Sequence, residues 1–233
     1  MNENIEKVLG IKELPIFPLP LVLFPSELLP LHIFEPRYRK MLTDIEFERN
    51  LFGVSYFSLE DSDSEFPAIG SLGCVAEVRD SQTLEDGRSN ILTIGLIRYE
   101  ITSYVETLED YLTAEVSFFE DYEEDEAVLE PLANEVFSLF QRIANSAHEL
   151  SGQRGKPPEL PQAEPQLLSF LVSSAFNMPN DLRYKLMSTR STTERLEGLL
   201  EILRQAVSQI EESANIGKVA KTNGHSKKPI DLS

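Results

Sequence analysis

Three histidines, one cysteine and a run of acidic residues are the side chains of this 233-residue chain that could take part in catalysis or metal binding. His32, His148 and His225 are far apart in the sequence, and Cys74 has no neighbouring base that would activate its thiol. The acidic run, residues 120–126, lacks the Asp-x-Asp-x-Asp-Gly spacing of a calcium-binding loop. We therefore predict a structural or hydrogen-bonding role for His32, a buried position for Cys74, and a solvated linker or helix start at residues 120–126.

A segment with glycine and lysine, residues 152–157, is the nearest approach to a phosphate-binding loop. Such a loop needs glycine N–H groups around the phosphates, followed by a lysine and a hydroxyl residue that binds magnesium. Here Pro157 follows Lys156, and the upstream glycine is not at the required spacing. The sequence also contains neither Gly-x-Ser-x-Gly nor His-Glu-x-x-His. We predict a protein that is not an enzyme and that has no cofactor and no metal site.

Composition and charge indicate a soluble globular protein. Hydrophobic residues make up 41% of the chain and charged residues 26%, which is sufficient for a buried core. The formal net charge of −18 repels a phosphate backbone and makes nucleic acid an unfavourable partner. No stretch reaches the roughly 18–20 apolar residues that span a bilayer, and the N-terminus has no pattern of a secretory signal. With a single cysteine, this predicts a cytoplasmic protein without a membrane partner.

The first half of the chain, residues 12–120, is predicted to be a β-rich domain. Apolar runs within residues 14–24 are interrupted by prolines, which cannot donate to a strand ladder and belong at sheet edges, strand starts or corners. Pro36 is suited to the first turn of a helix whose apolar residues recur at helical spacing, and Asp86-Gly87 is a hairpin signal. Further strands are predicted at residues 28–34, 51–59, 68–78, 91–104 and 111–119.

The second half, residues 121–212, is predicted to be a helical bundle. Ser191-Thr-Thr-Glu194 is a capping-box pattern that marks the start of the last helix. The tail, residues 213–233, has few apolar residues and is predicted to be disordered. Helices are predicted at residues 129–143, 166–176, 179–187 and 196–210, with a loop rich in glycine and proline at residues 151–165.

Three blocks of the β-rich half resemble the substrate-binding N-terminal domain of Lon proteases. The first runs from Leu14-Pro-Ile-Phe-Pro-Leu to Leu31-His-Ile-Phe-Glu-Pro-Arg-Tyr38. The second, Ile69-Gly-Ser-Leu-Gly-Cys, is similar to the family's I-G-T-x-A strand start. The third, Asp86-Gly-Arg with Ile94-Gly-Leu-Ile-Arg-Tyr, is similar to its D-G hairpin, and residues 182–200 resemble the segment that closes its helical bundle.

The resemblance covers residues 12–211 and implies an α+β fold. The expected architecture is an N-terminal PUA-like pseudo-barrel of mostly antiparallel strands, followed by a C-terminal α-helical bundle. It implies a non-catalytic module, without Walker A or Ser–Lys peptidase elements, that binds unfolded or tagged polypeptides. Such a module would act as an adaptor for an ATP-dependent protease or a chaperone, and it could form a homo-oligomer.

The loop at residues 24–29 and the helix start at residues 35–38 are predicted to bind the polypeptide. Recognition of unfolded chains needs an apolar groove with a few polar groups at its rim. The alternative is that the aromatic residues pack in the barrel core and that Arg37 and Arg98 pair with Glu35 and Glu100. The predicted binding residues are Phe24, Pro25, Leu28, Phe34, Glu35, Arg37 and Tyr38.

Three other functions are compatible with the sequence. A PUA-like RNA-binding protein is favoured only by the lysines of the tail. An enzyme with a diffuse site would require paired carboxylates or a His–carboxylate contact in a deep pocket. An oligomeric scaffold is the third alternative. An exposed apolar patch on the barrel, or in a cleft against the bundle, would favour polypeptide binding over these.

Overall fold

The computed structural model describes residues 3–58, 64–151 and 161–223 and has the predicted α+β architecture. Its strands are β1 (Glu13–Leu19), β2 (Leu28–Ile33), β3 (Leu51–Tyr56), β4 (Leu72–Thr83), β5 (Ser89–Val105) and β6 (Leu112–Phe119). Its helices are α1 (Glu3–Val8), α2 (Pro36–Glu46), α3 (Glu126–Ser151), α4 (Pro165–Ala175), α5 (Asn180–Ser188) and α6 (Thr192–Asn223). All strands precede α3, so the β-rich half comes before the helical half.

The strands form one sheet in the order β2-β5-β4-β3-β1-β6, and β6 also pairs with β5, which closes the sheet into a barrel. Neighbouring strands are antiparallel except for the parallel pair of β1 and β3. The length of β5 allows it to pair with β2 through residues 89–94 and with β6 through residues 98–105. Among the described strands, β2 pairs only with β5, so β2 is an edge strand.

Prolines within the strands lie where only one side of the strand is paired. Pro15 is opposite Thr113 of β6, in a part of β1 that does not pair with β3. Pro18 is opposite Ser55 of β3, in a part of β1 that does not pair with β6. Pro30 lies on the edge strand β2. The missing N–H of each proline therefore need not interrupt a ladder. The predicted edge position is confirmed for Pro30, whereas Pro15 and Pro18 lie in β1, between β3 and β6.

Three apolar clusters hold the molecule together. One packs α2 against the sheet through residues such as Phe17, Met41 and Phe52. A second surrounds Tyr99 inside the barrel. The third joins Val22 and Phe24, in the loop between β1 and β2, to the buried faces of α3, α4, α5 and α6. The bundle is therefore seated on the barrel through apolar contacts, whose burial is the main favourable contribution to stability.

The local signals of the sequence correspond to the observed turns. The β4–β5 hairpin turns at Gly87, where φ is +79° and where glycine is favoured. Helix α2 begins at Pro36, as predicted. Loop residues 152–160, including Lys156 and Pro157, lie outside the described residues.

Two segments differ from the sequence-based predictions. Helix α1 was not predicted; it is short, and its position depends on Val8, which is buried, and on a hydrogen bond from Asn4 Nδ2 to the carbonyl oxygen of Leu96. The predicted disordered tail is wrong for residues 213–223, which continue α6 as a helix. These residues contain no proline, and extending an existing helix is much easier than nucleating one. The rest of the tail, residues 224–233, lies outside the described residues.

Candidate polypeptide-binding surface

The outward face of the edge strand β2 carries a row of exposed, mostly apolar residues. Leu28 and Phe34 are each 59% exposed, and Leu92 of β5, opposite Pro30, is 36% exposed. Side chains alternate between the two faces of a strand, so residues 28, 30, 32 and 34 share one face. We define the apolar strip as Leu28, Pro30, His32, Phe34 and Leu92.

Polar groups border the apolar strip. His32 Nδ1 lies 2.7 Å from Asn90 Oδ1, and the His32 ring stacks on Phe34 with centroids 6.2 Å apart. The predicted hydrogen-bonding role of His32 is therefore confirmed. Just beyond the strand, Arg37 pairs with Glu35 at 2.8 Å, which also confirms that predicted ion pair. The strip thus combines apolar side chains with a polar rim, the composition expected of a binding surface.

Phe24 does not belong to this surface. Its side chain is fully buried at the contact between barrel and bundle, 6.3 Å from the Phe170 ring and 4.7 Å from the Arg183 guanidinium. Arg183 also pairs with Glu27 at 2.8 Å, and Glu27 accepts a hydrogen bond from the Phe24 N–H. The Phe24 ring is therefore inaccessible to a polypeptide. It occupies a core position, which was the alternative to a binding role.

Tyr38 is also part of the core. It is 6% exposed and its ring centre lies 4.0 Å from that of Phe17. Burial raises the pKa of its hydroxyl, although the nearby charge of Arg37 opposes this. Pro25 is half-buried. Of the predicted binding residues, the structure thus brings Leu28 and Phe34 together on an exposed surface, beside the exposed pair of Glu35 and Arg37.

A buried ionic cluster connects the two halves of the chain. Asp121 pairs with Arg98 of β5 and with Arg195 of α6, and at most 3% of each of these side chains is exposed. The predicted pairing of Arg98 with Glu100 is therefore wrong, because the buried Arg98 pairs with Asp121 while Glu100 is exposed. The prediction that residues 120–126 are solvated is wrong at Asp121, while α3 does start at Glu126.

Backbone oxygens and hydroxyl groups complete the cluster. Arg98 Nη1 donates to the carbonyl oxygens of Met187 and Thr189 at 2.9 and 2.7 Å. Arg195 Nε donates to Ser169 Oγ at 2.7 Å. Burial raises the pKa of Asp121, but hydrogen bonding to Arg195 and the charges of both arginines outweigh it and hold that pKa below its usual value. The carboxylate therefore stays ionised and stabilises the contact between barrel and bundle.

Glu124, in the same acidic run, has a structural role at the start of α6 that the sequence did not predict. The predicted capping box supplies one bond, since Ser191 Oγ accepts the N–H of Glu194 at 3.1 Å. Glu124 adds to it: its carboxylate accepts from Ser191 Oγ at 2.8 Å and from the N–H of Thr193 at 3.1 Å. Burial raises the pKa of Glu124, and these bonds outweigh that effect and lower it. The carboxylate thus caps the start of α6.

The described residues contain no metal-binding group, and their cysteine is buried. Among residues 3–58, 64–151 and 161–223, no group of three or more His, Cys, Asp or Glu side chains is placed to hold a metal ion. Cys74 is buried, as predicted, and burial raises the pKa of its thiol well above its usual value. Such a thiol is a poor nucleophile.

No helix in this part of the chain is long and apolar enough to cross a membrane.

Several curated proteins with similar sequences are Lon proteases. Residues 13–205 match the family described as the substrate-binding domain of ATP-dependent protease La (LON). Lon protease from Brevibacillus choshinensis is 26% identical over 220 residues, covering 91% of this chain and 27% of that protein. Lon protease from Cytophaga hutchinsonii is 25% identical over 209 residues, covering 85% of this chain and 25% of that protein. The chain therefore spans about a quarter of the length of these relatives.

Solved structures show the same fold. The Lon N-terminal domain protein from Xanthomonas campestris matches with a TM-score of 0.62 at 23% identity, covering 82% of this chain and 98% of that one. The N-terminal domain of Lon protease from the Mycobacterium avium complex matches with a TM-score of 0.60 at 17% identity, covering 84% and 98%. Since the family match extends over most of its length, the chain belongs to the family of Lon substrate-binding domains.

Proposed function

We propose that this protein binds unfolded or tagged polypeptides through the apolar strip and presents them to an ATP-dependent protease or a chaperone, without catalysing a reaction itself. The observation that carries the proposal is the exposure of Leu28, Phe34 and Leu92 on one face of the edge strand β2 and its neighbour β5. Large apolar side chains that share a face are costly to leave in water, and unfolded segments supply matching apolar groups.

The side chains of the strip are expected to supply most of the affinity. An edge strand can also add an extended polypeptide through its main chain. On β2, however, Pro30 has no N–H and therefore offers one donor fewer. Apolar burial contributes roughly 25 cal/mol per Å², so contacts with the few residues of the strip predict a modest affinity and fast exchange of clients.

Binding to a permanently unfolded protein tests the proposal. The probe is fluorescently labelled, reduced and carboxymethylated lactalbumin, titrated with the full chain and followed by fluorescence polarisation. Replacing both Leu28 and Phe34 by serine removes apolar surface from the strip and is expected to weaken binding about tenfold. A matched control replaces Phe47 and Leu108, which are 85% and 103% exposed elsewhere, by serine. Equal losses in the two double variants, or no binding by the wild type, would contradict the proposal.

The adaptor role has a separate test. The same labelled lactalbumin is incubated with an ATP-dependent protease of the source organism, with and without this protein. Faster ATP-dependent degradation in its presence, lost in the strip variant, is the expected result. Retention of neither the unfolded client nor a protease or chaperone on the immobilised protein would argue against an adaptor. A cytoplasmic location belongs to the same proposal, since a single buried cysteine suits a reducing compartment.

A further inference from the structure

A cleft of about 700 Å³ separates α2 from the far end of the β4–β5 hairpin. Arg39 and Thr43 of α2 form one wall, and Ser81, Thr83 and Ser89 of the hairpin lie opposite. In the register of the sheet, Thr83 is the partner of Ser89. These side chains are small, whereas the larger apolar residues nearer the barrel fill the space beneath α2. The cleft therefore exists because small hydroxyl residues occupy the end of the hairpin.

One edge of β4 is unpaired along this cleft. Strand β3 pairs with β4 only through residues 73–77, and the last bond on that side runs from the N–H of Val78 to the carbonyl oxygen of Asn50 at 3.0 Å. In the described part of the chain, no strand pairs with that side of residues 79–83. An open strand edge presents N–H and C=O groups at regular spacing, which an extended polypeptide can pair with.

The Arg39 guanidinium reaches across the cleft to the hairpin turn. A Cβ atom added at Gly87 would collide with its Nη2, so the glycine provides room for the arginine. The neighbouring cations of α2 are paired, Arg37 with Glu35 and Lys40 with Asp44. Arg39, in contrast, forms no hydrogen bond or ion pair through its guanidinium with any residue that the structure describes. Among the described residues, Arg39 thus lines the cleft without an ion-pair partner, although Glu46 also belongs to the lining.

We propose that this cleft binds an extended polypeptide segment that adds as a strand to β4 and places an aspartate or glutamate carboxylate against Arg39. A guanidinium and a carboxylate form two parallel charge-assisted hydrogen bonds, the strongest side-chain contact that Arg39 can make. The hydroxyl groups of Ser81, Thr83 and Thr43 suit small or polar side chains on the incoming strand.

The overall charge of −18 does not preclude an acidic residue at this position. Repulsion between exposed charges is screened over about 8 Å at physiological ionic strength, while Arg39 would touch the carboxylate directly. The cleft lies on the face of the hairpin that α2 covers, and the apolar strip lies on the opposite face of β2 and β5. The two sites therefore differ in what they bind: the cleft takes an acidic extended segment, and the apolar strip takes apolar side chains.

A designed peptide tests this second site. The probe is a fluorescein-labelled peptide of alternating threonine and valine with one central aspartate, titrated with the full chain by fluorescence polarisation. Binding is expected, and an asparagine in place of the aspartate should weaken it roughly tenfold. N-methylation of alternate backbone amides should weaken it as well, because strand addition needs their N–H groups. Absence of binding by the wild-type protein, or no effect of N-methylation, would overturn the proposal.

Two variants test whether Arg39 is the residue that contacts the carboxylate of the peptide. In Arg39→Gln, the aspartate and asparagine peptides should bind equally, because the partner of the carboxylate has been removed. Arg204→Gln loses the same charge from an exposed position on α6, outside the cleft, and should retain the preference for aspartate. Far-UV circular dichroism confirms that both variants fold. A preference for aspartate that survives in Arg39→Gln would overturn the proposal. The strip variant with serine at Leu28 and Phe34 should bind the peptide normally, which separates this site from the proposed function.

Discussion

The carboxylate of Asp121 accepts a hydrogen bond from the Arg98 guanidinium, and only 3% and 2% of the two side chains are exposed. Arg98 belongs to the barrel, whereas Asp121 lies in the segment that leads into the helical bundle. Arg195 of α6 shares the same carboxylate. Two buried cations thus depend on one anion, and this dependence makes Asp121 the residue whose removal most directly tests how barrel and bundle are held together.

Replacing Asp121 by asparagine should destabilise the fold by about 3–5 kcal/mol, because it leaves two buried guanidinium groups without a counter-charge. The free energy of unfolding in urea measures the effect. Glu123→Gln is the control, since it removes a negative charge from an exposed position two residues away. A loss below about 1 kcal/mol in Asp121→Asn would mean that the cluster is not required for stability.

Stability should fall in acid, and Asp121 should contribute to that fall. Its pKa is depressed in the folded state, since the arginine contacts outweigh burial. A carboxyl group of this kind stabilises the fold at pH values above its unfolded pKa, about 4, and the contribution disappears as pH falls through the folded pKa. Urea unfolding at a series of pH values should show a shallower acid decline in Asp121→Asn than in the wild type. Parallel curves would contradict this assignment.

Phe24 and Phe34 should behave oppositely when replaced by alanine. Phe24 is fully buried, so its removal should cost about 3–5 kcal/mol of stability. Phe34 is 59% exposed, and its removal should change stability by less than about 0.5 kcal/mol while weakening the binding of unfolded lactalbumin. Thermal unfolding and polarisation on the same variants separate the two roles. Destabilisation by Phe34→Ala as large as that of Phe24→Ala would place Phe34 in the core.

Two glycines should respond in opposite directions to alanine. At Gly95, a Cβ atom would collide with the carbonyl oxygen of Phe24, so Gly95→Ala should cost about 1–3 kcal/mol. At Gly198, within α6, the nearest atom is Leu186 Cδ2 at 3.7 Å, which leaves room for a methyl group. Gly198→Ala should stabilise the protein by up to about 1 kcal/mol, because alanine favours helix. Urea unfolding of both variants provides the comparison, and equal effects would contradict the packing around Gly95.

Features that depend on neighbouring residues were predictable from the sequence. The hairpin at Gly87, the helix start at Pro36 and the capping box at Ser191 are set by local backbone requirements. The placement of prolines at strand positions with an unpaired side was also predictable, because a residue without an N–H cannot donate to a ladder. The α+β fold class followed from the change from strand-like to helical patterns along the chain, and from the family resemblance.

Burial that depends on distant contacts was not predictable in this way. Asp121 is surrounded by acidic residues in the sequence, and its partner Arg195 lies 74 residues away. Phe24 and Phe34 occur in one motif. Phe24 is buried because the bundle packs on its loop, whereas Phe34 stays exposed. One available signal was the alternation along β2, which places Leu28, Pro30, His32 and Phe34 on one face. Arg39 gave no signal, because its lack of a partner is a property of the folded cleft.

The pairing of β1 with β6 determines when the barrel can be completed during synthesis. Glu13 is opposite Glu115, so β1 cannot pair with β6 until almost the whole β-rich half of the chain has been synthesised. Contacts between residues so far apart in sequence make folding slow compared with that of a helical bundle. A nascent chain that ends before β6 exposes the unpaired side of β1, an edge prone to aggregation. The newly made protein therefore passes through an interval in which it would itself benefit from a chaperone.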